Sequence, residues 1–270
     1  MPVRLIATDI DGTLLSSDRV IPRENVDAIR AAQDKGIVVA MATGRFPLNA
    51  ALLLEQYGLA CPVIGINGAH IVDEKVRVIR EAFMLPEAAE QVEDVLESTG
   101  ADFFLFGRGF ICTSGENLFH HSELSDGPRV TARGIVYCHG LGEARRCARR
   151  NVYKFFVRNN VPLMILREKL REIHGIQLTQ SAPDNLEVMP LGVDKGRGLR
   201  DLAASLGIFP EETMAIGDEE NDIPMLAAAG YGVAMGNASR LAKAAARYVV
   251  GTNDECGFAG AVRQYALQEG

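Results

Sequence analysis

The stretch Val3-Arg4-Leu5-Ile6-Ala7-Thr8-Asp9-Ile10-Asp11-Gly12-Thr13 decides how the rest of the chain is read. Its first part is apolar and rich in branched side chains, as a strand buried on both faces would be. It then ends abruptly in two acids that flank one residue. In an open α/β sheet, ligands bind outside the carboxyl ends of the strands. An acid pair at such an end therefore marks both a strand terminus and a candidate site.

Working outward, Pro22 opens a helical segment with Val26, Ile29 and Ala32 on one face, and Gly36 stops it. Ile37–Ala42 reads as a second buried strand, Pro47–Tyr57 as a helix ending at Gly58, and Pro62–Ile66 as a third strand. This alternation predicts a parallel sheet with right-handed crossovers. A hairpin follows, with Ile71-Val72-Asp73 and Arg77–Arg80 around Glu74-Lys75. The rhythm then changes. Pro86–Ser98 and Val161–Ile173 read as helices; Phe103–Phe106, Phe110–Cys112, Tyr153–Val157 and Gln177–Gln180 read as strands. The Gly- and Arg-rich stretch 115–150 gives no clear elements. From Leu186 the alternation resumes, with helices over Gly196–Leu206, Asn221–Ala229 and Ala238–Ala246. Strands are expected over Thr213–Ile216, Tyr231–Met235 and Tyr248–Val250. The expected architecture is α/β: a Rossmann-like parallel-sheet core, residues 1–83 and 188–270, with an α+β cap, residues 84–187, inserted into it. No internal repeat is present.

The composition agrees. The chain has 270 residues, of which 47% are hydrophobic and 23% charged, values of an ordinary globular protein rather than a disordered or fibrous one. A net charge of −7 argues against non-specific nucleic-acid binding, since phosphate backbones repel a net anion. No apolar run reaches the ~18 residues of a membrane span. The amino-terminal residues lack a signal-peptide core, so a cytoplasmic location is expected. Cys61, Cys112, Cys138, Cys147 and Cys256 are scattered without a C-x-x-C, and read as reduced thiols serving as small buried hydrophobes. His120, His121, Cys138 and His139 collect ligand-type residues, but no pair has zinc-finger spacing. The run Arg145-Arg146-Cys147-Ala148-Arg149-Arg150 reads as a solvated basic face, with recruitment of a substrate anion as the alternative.

Four expected strands end in polar clusters: Asp9–Thr13, Thr43-Gly44-Arg45, Asn67-Gly68, and Gly217–Asp222. Lys195 opens a helix after Gly192-Val193-Asp194. Carboxylates gathered at one sheet edge repel each other unless a cation sits among them. Their hard oxygens suit Mg²⁺, which commonly takes one or two carboxylates together with substrate phosphate oxygens. Thr43 and Lys195 would supply a donor and a positive charge for a phosphoryl group. A carboxylate can also act as a nucleophile and form an aspartyl-phosphate.

Together, Asp9-x-Asp11-Gly12-Thr13, Thr43-Gly44-Arg45, Asp194-Lys195-Gly196 and Gly217-Asp218-x-x-Asn221-Asp222 resemble the four motifs of the haloacid dehalogenase-like superfamily, in order and separation. The insertion between the second and third motifs looks like the cap of the Cof-type subfamily. Asn67-Gly68-Ala69 is similar to that subfamily's turn after the third strand. The resemblance implies a phosphoryl-transfer enzyme rather than one for carbon–halogen chemistry. Asp9 would be the nucleophile, and Asp11 the general acid and then base. Mg²⁺ would be held by Asp9, the Asp11 carbonyl and Asp218, with Asp222 supporting the metal's water shell or orienting Lys195. Thr43, Gly44, Arg45, Lys195 and Asn221 would serve phosphate and substrate binding, Asn221 also helping to hold its loop. Arg45 has an alternative as a surface salt bridge.

The implied activity is a Mg²⁺-dependent phosphatase for a small phosphorylated metabolite, sugar phosphates first, with flavin mononucleotide, pyridoxal phosphate and other organic phosphates behind. The protein is expected to be a monomer or homodimer, the cap closing over the sheet edge. A phosphomutase of the same superfamily and a receiver-like signalling phosphoacceptor are the alternatives.

Overall fold

A computed structural model of the chain describes residues 1–115, 136–158 and 160–268. These divide into two units, Met1–Glu81 with Val193–Gly270, and Ala82–Gly192. The first unit begins with β1 (Leu5–Thr8), α1 (Arg23–Asp34), β2 (Val38–Ala42), α2 (Pro47–Glu55), β3 (Val63–Gly65), β4 (His70–Val72) and β5 (Val78–Glu81). The second holds α3 (Pro86–Thr99), β6 (Phe103–Gly107), β7 (Phe110–Thr113), β8 (Val136–His139), α4 (Leu141–Ala148), β9 (Val152–Arg158), α5 (Leu163–Leu170), β10 (Ile176–Thr179) and β11 (Asn185–Pro190). The first unit is completed by α6 (Lys195–Ser205), β12 (Thr213–Gly217), α7 (Ile223–Ala228), β13 (Tyr231–Ala234), α8 (Arg240–Ala245), β14 (Tyr248–Val249) and α9 (Gly257–Ala261), whose last turns widen over Val262–Leu267.

In the first unit the strand order is β14-β13-β12-β1-β2-β3-β4-β5. From β14 to β3 every pair is parallel, and β4 and β5 add an antiparallel hairpin. β1 is buried at every residue because helices cover both faces, which explains its unbroken apolar run. The chain runs outward from β1 through β2 and β3, then returns to place β12 on β1's other side. The order thus reverses between β1 and β12, and that switch point opens the crevice in which such sheets bind ligands. The second unit has the order β10-β11-β9-β6-β7-β8, antiparallel except for β7 and β8. Its own core sets Val92 and Leu96 of α3 against Phe103, Phe155 and Leu186.

Several elements depart from their sequence reading. β11 crosses the border expected near Glu187, and the units part instead after Glu81 and Gly192. Glu187 looks like a surface residue, but it is buried and paired with Lys154, so the strand carries a charge inside and ends in a proline. The helix expected over Val161–Ile173 begins only after Pro162. β8 and α4 emerge from the end of the stretch that gave no clear elements; 116–135, with His120 and His121, lie outside the described residues. Three of the four arginines of α4 and its end are matched by acids: Arg145 meets Glu93, Asp94 and Glu97, Arg146 meets Glu143, and Arg149 meets Glu90, while Arg150 lies over the Phe110 ring. Apart from Glu93, which is buried, these acids stand at the surface, and exposed ion pairs of this kind describe a solvated face. α9 was hidden by its glycines, although it buries Phe258 and packs against α1. Among the described residues no helix is long and apolar enough to cross a membrane.

Candidate active site

Thr8 of β1 and Ile216 of β12 are register partners, so the next residues of both strands emerge side by side at the switch point. The Asp9 N–H donates to the Ile216 carbonyl at 2.9 Å and carries the ladder one step further. Beyond Asp9 the chain does not stay extended. It coils through Ile10–Leu14, and Gly12 takes φ +75°, where a Cβ would lie 2.3 Å from Asp218 Oδ2. Gly12 is therefore required both for its left-handed backbone and for the closeness of Asp218. The Thr13 hydroxyl donates to Asp218 Oδ1 at 2.7 Å, and the Asn237 amide donates to the Gly12 carbonyl at 2.8 Å.

The loop after β12 is closed by Asp222. One of its oxygens accepts the N–H groups of Asp218 (2.8 Å) and Glu219 (3.0 Å), and the other accepts from Lys195 Nζ at 2.6 Å. A Cβ at Gly217 would fall 2.4 Å from the Asp222 carboxyl carbon, so only glycine lets the loop fold this tightly. Asn221 and Asp222 are taken up in that turn, which is why α7 starts later than its helical pattern suggests.

Lys195 is the first residue of α6, and Asp194 caps the helix by accepting the Arg197 N–H at 2.7 Å. A cation in the first turn opposes the helix dipole. The compensation is direct: the fully buried ammonium also donates to Asp9 Oδ1 at 2.8 Å, so it bridges two carboxylates. Burial alone would pull the ammonium's pKa down; Asp222 and Asp9 together outweigh that and hold it above its ordinary value.

Thr43, buried at the end of β2, accepts the Arg45 N–H on its hydroxyl at 3.2 Å. Its carbonyl accepts the Asn67 N–H at 2.9 Å, tying β2 to the turn after β3. In that turn Ile66 and Asn67 both have positive φ, 48° and 51°. A branched residue in that region is a real outlier, and such strain collects where a site fixes its backbone. The Asn221 amide donates to Asn67 Oδ1 at 3.3 Å. The Asn221 Oδ1 atom is buried without a hydrogen-bond partner among the described residues.

The fold thus brings Asp9, Asp218, Asp222 and Lys195 into one buried cluster, with Thr43, Gly44 and Asn221 on the neighbouring strand ends. Oxygens of Asp9, Asp218 and Asp222 all lie within 4.8 Å of one another. Asp11 is not in that group. Alternation places it beside Asp9 only in an extended chain, and the coil at Gly12 turns its half-exposed carboxylate to Arg45 instead. The guanidinium grips both Asp11 oxygens, with Nε to Oδ2 at 2.8 Å. Thr13 and Asn237 were not singled out from sequence. Thr13 follows the acid pair within the same motif, whereas Asn237 carries no local signal.

Burial, then repulsion from Asp222, pushes the Asp218 carboxyl up to about 7; the Thr13 hydrogen bond works the other way. Burial also drives Asp9 well above the carboxylate range, against the pull of Lys195 and with the push of Asp222 and Asp218. One ammonium does not balance three carboxylates. The donors are hard oxygens close enough to share an ion, so the cluster fits a small divalent cation such as Mg²⁺.

A family model described as haloacid dehalogenase-like hydrolase matches residues 6–262. The 5-amino-6-(5-phospho-D-ribitylamino)uracil phosphatase YcsE of Bacillus subtilis is 32% identical over 267 residues, covering 98% of this chain and 96% of its own. The HMP-PP phosphatase of Serratia proteamaculans is 34% identical over 241 residues, covering 87% of this chain and 84% of its own. Among solved structures, a haloacid dehalogenase-like hydrolase from B. subtilis superposes with a TM-score of 0.86 at 31% identity, covering 97% of this chain and 99% of its own. The subclass IIB sugar phosphatase BT4131 superposes at 0.83 with 26% identity, covering 98% of this chain and 100% of its own.

Proposed function

The chain belongs to the haloacid dehalogenase-like hydrolases and is a phosphatase, and from that premise we propose that it hydrolyses small phosphate monoesters with Mg²⁺ by way of a phosphoaspartate on Asp9. The observation that carries this reading is the Lys195 ammonium bridging Asp9 and Asp222 beside Asp218 at the sheet's switch point.

Each residue's part follows from its partners. Lys195 fixes Asp9 through Oδ1 and leaves the carboxylate's other oxygen to attack phosphorus in line. Asp222 has one oxygen on Lys195 and the other on two backbone N–H groups, so it acts by orienting the lysine and the loop. Asp9, Asp218 and the Asp11 carbonyl would hold the metal. Mg²⁺ bound there would keep the two carboxylates ionised and draw phosphoryl oxygens into the cluster. Asp11 gives a proton to the leaving oxygen and then takes one from the attacking water. The Arg45 fork aims the Asp11 carboxyl for both transfers. Thr43, the Gly44 backbone and Lys195 hold the phosphoryl oxygens, and Asn221 offers its unpartnered amide oxygen to a donor on the ligand.

The inserted unit is the part that selects the substrate, as a cap. Phosphorylated sugars and sugar alcohols are the class to try first. The YcsE relative is named for a phosphorylated ribityl chain on a uracil, and BT4131 for sugar phosphates. The protein works in the cytoplasm as a monomer or homodimer. The test is phosphate release from a panel of sugar, polyol and cofactor monophosphates, with and without Mg²⁺. Release that ignores Mg²⁺, or transfer of the phosphoryl group back to substrate rather than to water, overturns the reading.

A further inference from the structure

Three of the five cysteines meet in space. β7 and β8 run parallel with Cys112 and Cys138 as register partners, which sets the two side by side. Cys147 lies on the buried face of α4, which packs against both strands. The three Sγ atoms come from three separate elements and all lie within 4.8 Å of one another, Cys147 and Cys138 at 3.9 Å. Four sulfurs around a zinc ion at ~2.3 Å stand ~3.8 Å apart, and three in a plane stand ~4.0 Å apart. The spacing here therefore needs only small shifts to close on an ion. It is far wider than the ~2.05 Å of a disulfide.

We propose that Cys112, Cys138 and Cys147 form a binding site for a thiophilic d¹⁰ cation of the zinc class, separate from the carboxylate cluster of the first unit. Binding exchanges three thiol protons for one divalent ion: each S–H bond breaks, each sulfur binds the metal, and three protons leave to solvent. The product carries one net negative charge, and the guanidinium groups of Arg146 and Arg150 act electrostatically on these sulfurs. Cys112 and Cys147 are buried, while Cys138 is only half-buried and gives an ion its route in. Burial, and then Cys138, push the Cys147 thiol up to about 11. A soft ligand set of this kind takes zinc or cadmium in preference to Mg²⁺.

The test is a titration of the full-length, metal-free, reduced protein with Cd²⁺, followed by the ultraviolet cadmium–thiolate charge-transfer band. Oxygen ligands do not produce that band. One equivalent per chain is expected to saturate it, Cd²⁺ is expected to displace Zn²⁺ bound beforehand, and either ion is expected to raise the unfolding temperature. C61S/C256S, which leaves the cluster intact, keeps the band. C138S, at the half-buried position, loses it while keeping wild-type phosphate release, which shows that the variant is folded; C147S is the second variant. Absence of a band at one equivalent, its retention in C138S and C147S, or its loss in C61S/C256S overturns the proposal. So does a Cys138–Cys147 disulfide that forms in peroxide as fast with Zn²⁺ as without it.

Discussion

Asp218→Asn should make the metal-free protein more stable while abolishing hydrolysis. In the folded chain the Asp218 carboxyl is raised from 3.8 to about 7, first by burial and then by Asp222. A folded pKa above the unfolded one means that the folded state holds the proton more tightly. The group's favourable contribution is therefore complete below about pH 4 and lost as pH rises towards 7. About three units at ~1.4 kcal/mol each give about 4 kcal/mol lost by neutral pH. Screening and local relaxation in a real site reduce this to about 2 kcal/mol. Asparagine cannot ionise, yet its carbonyl can still accept the Thr13 hydroxyl. At about 2–4 °C per kcal/mol for a unit of this size, the unfolding midpoint should rise by about 4–8 °C. The assay is thermal unfolding by circular dichroism in chelator, near pH 8 and near pH 5. The variant's advantage should narrow at the lower pH. Mg²⁺ should raise the wild-type midpoint and leave that of the variant almost unchanged. A variant no more stable than wild type near pH 8, or an advantage that does not narrow on acidification, refutes the claim that charge is crowded around Asp218.

Other outcomes follow from the same geometry. Asp9→Asn should keep its contact with Lys195 and its fold, but lose turnover; near-wild-type phosphate release in that variant removes Asp9 as nucleophile. Lys195→Ala should cost on the order of 10²–10³ in kcat, the scale of losing one charge-stabilising donor. A loss under about tenfold contradicts its role at the phosphoryl group. Arg45→Ala breaks an exposed pair and should change stability by less than about 1 kcal/mol. Its kcat should nonetheless fall, because Asp11 is no longer aimed; an unchanged kcat would place the pair outside the reaction.

What could be read from sequence and what could not divide along physical lines. The parallel sheet was legible because β1 and β2 are covered on both faces and so carry continuous apolar runs. Strand ends were legible because Asp9, Thr43 and Asp218 interrupt such runs. β11 was not, since a buried Glu187 paired to Lys154 removes the apolar signal that marks an interior strand. The second sulfur of a pair gives no local signal either: Cys112, Cys138 and Cys147 meet only through strand register and helix packing. Asp11 shows the limit of periodicity. Its alternation with Asp9 holds for an extended chain, and a single left-handed glycine redirects it to Arg45. That Arg45 makes a salt bridge was one of two sequence readings. That its partner is the second motif acid depends on a loop path that no spacing encodes.

The most direct test of the central claim is an acid quench of the enzyme in the first turnover with substrate and Mg²⁺, followed by mass analysis of the peptide that contains Asp9. The account predicts one phosphoryl group on that peptide, absent in Asp9→Asn and, with a substrate whose leaving group needs no protonation, longer-lived in Asp11→Asn, where the hydrolytic water is no longer deprotonated. Rapid phosphate release with no phosphoryl group on that peptide in any of the three proteins would contradict it.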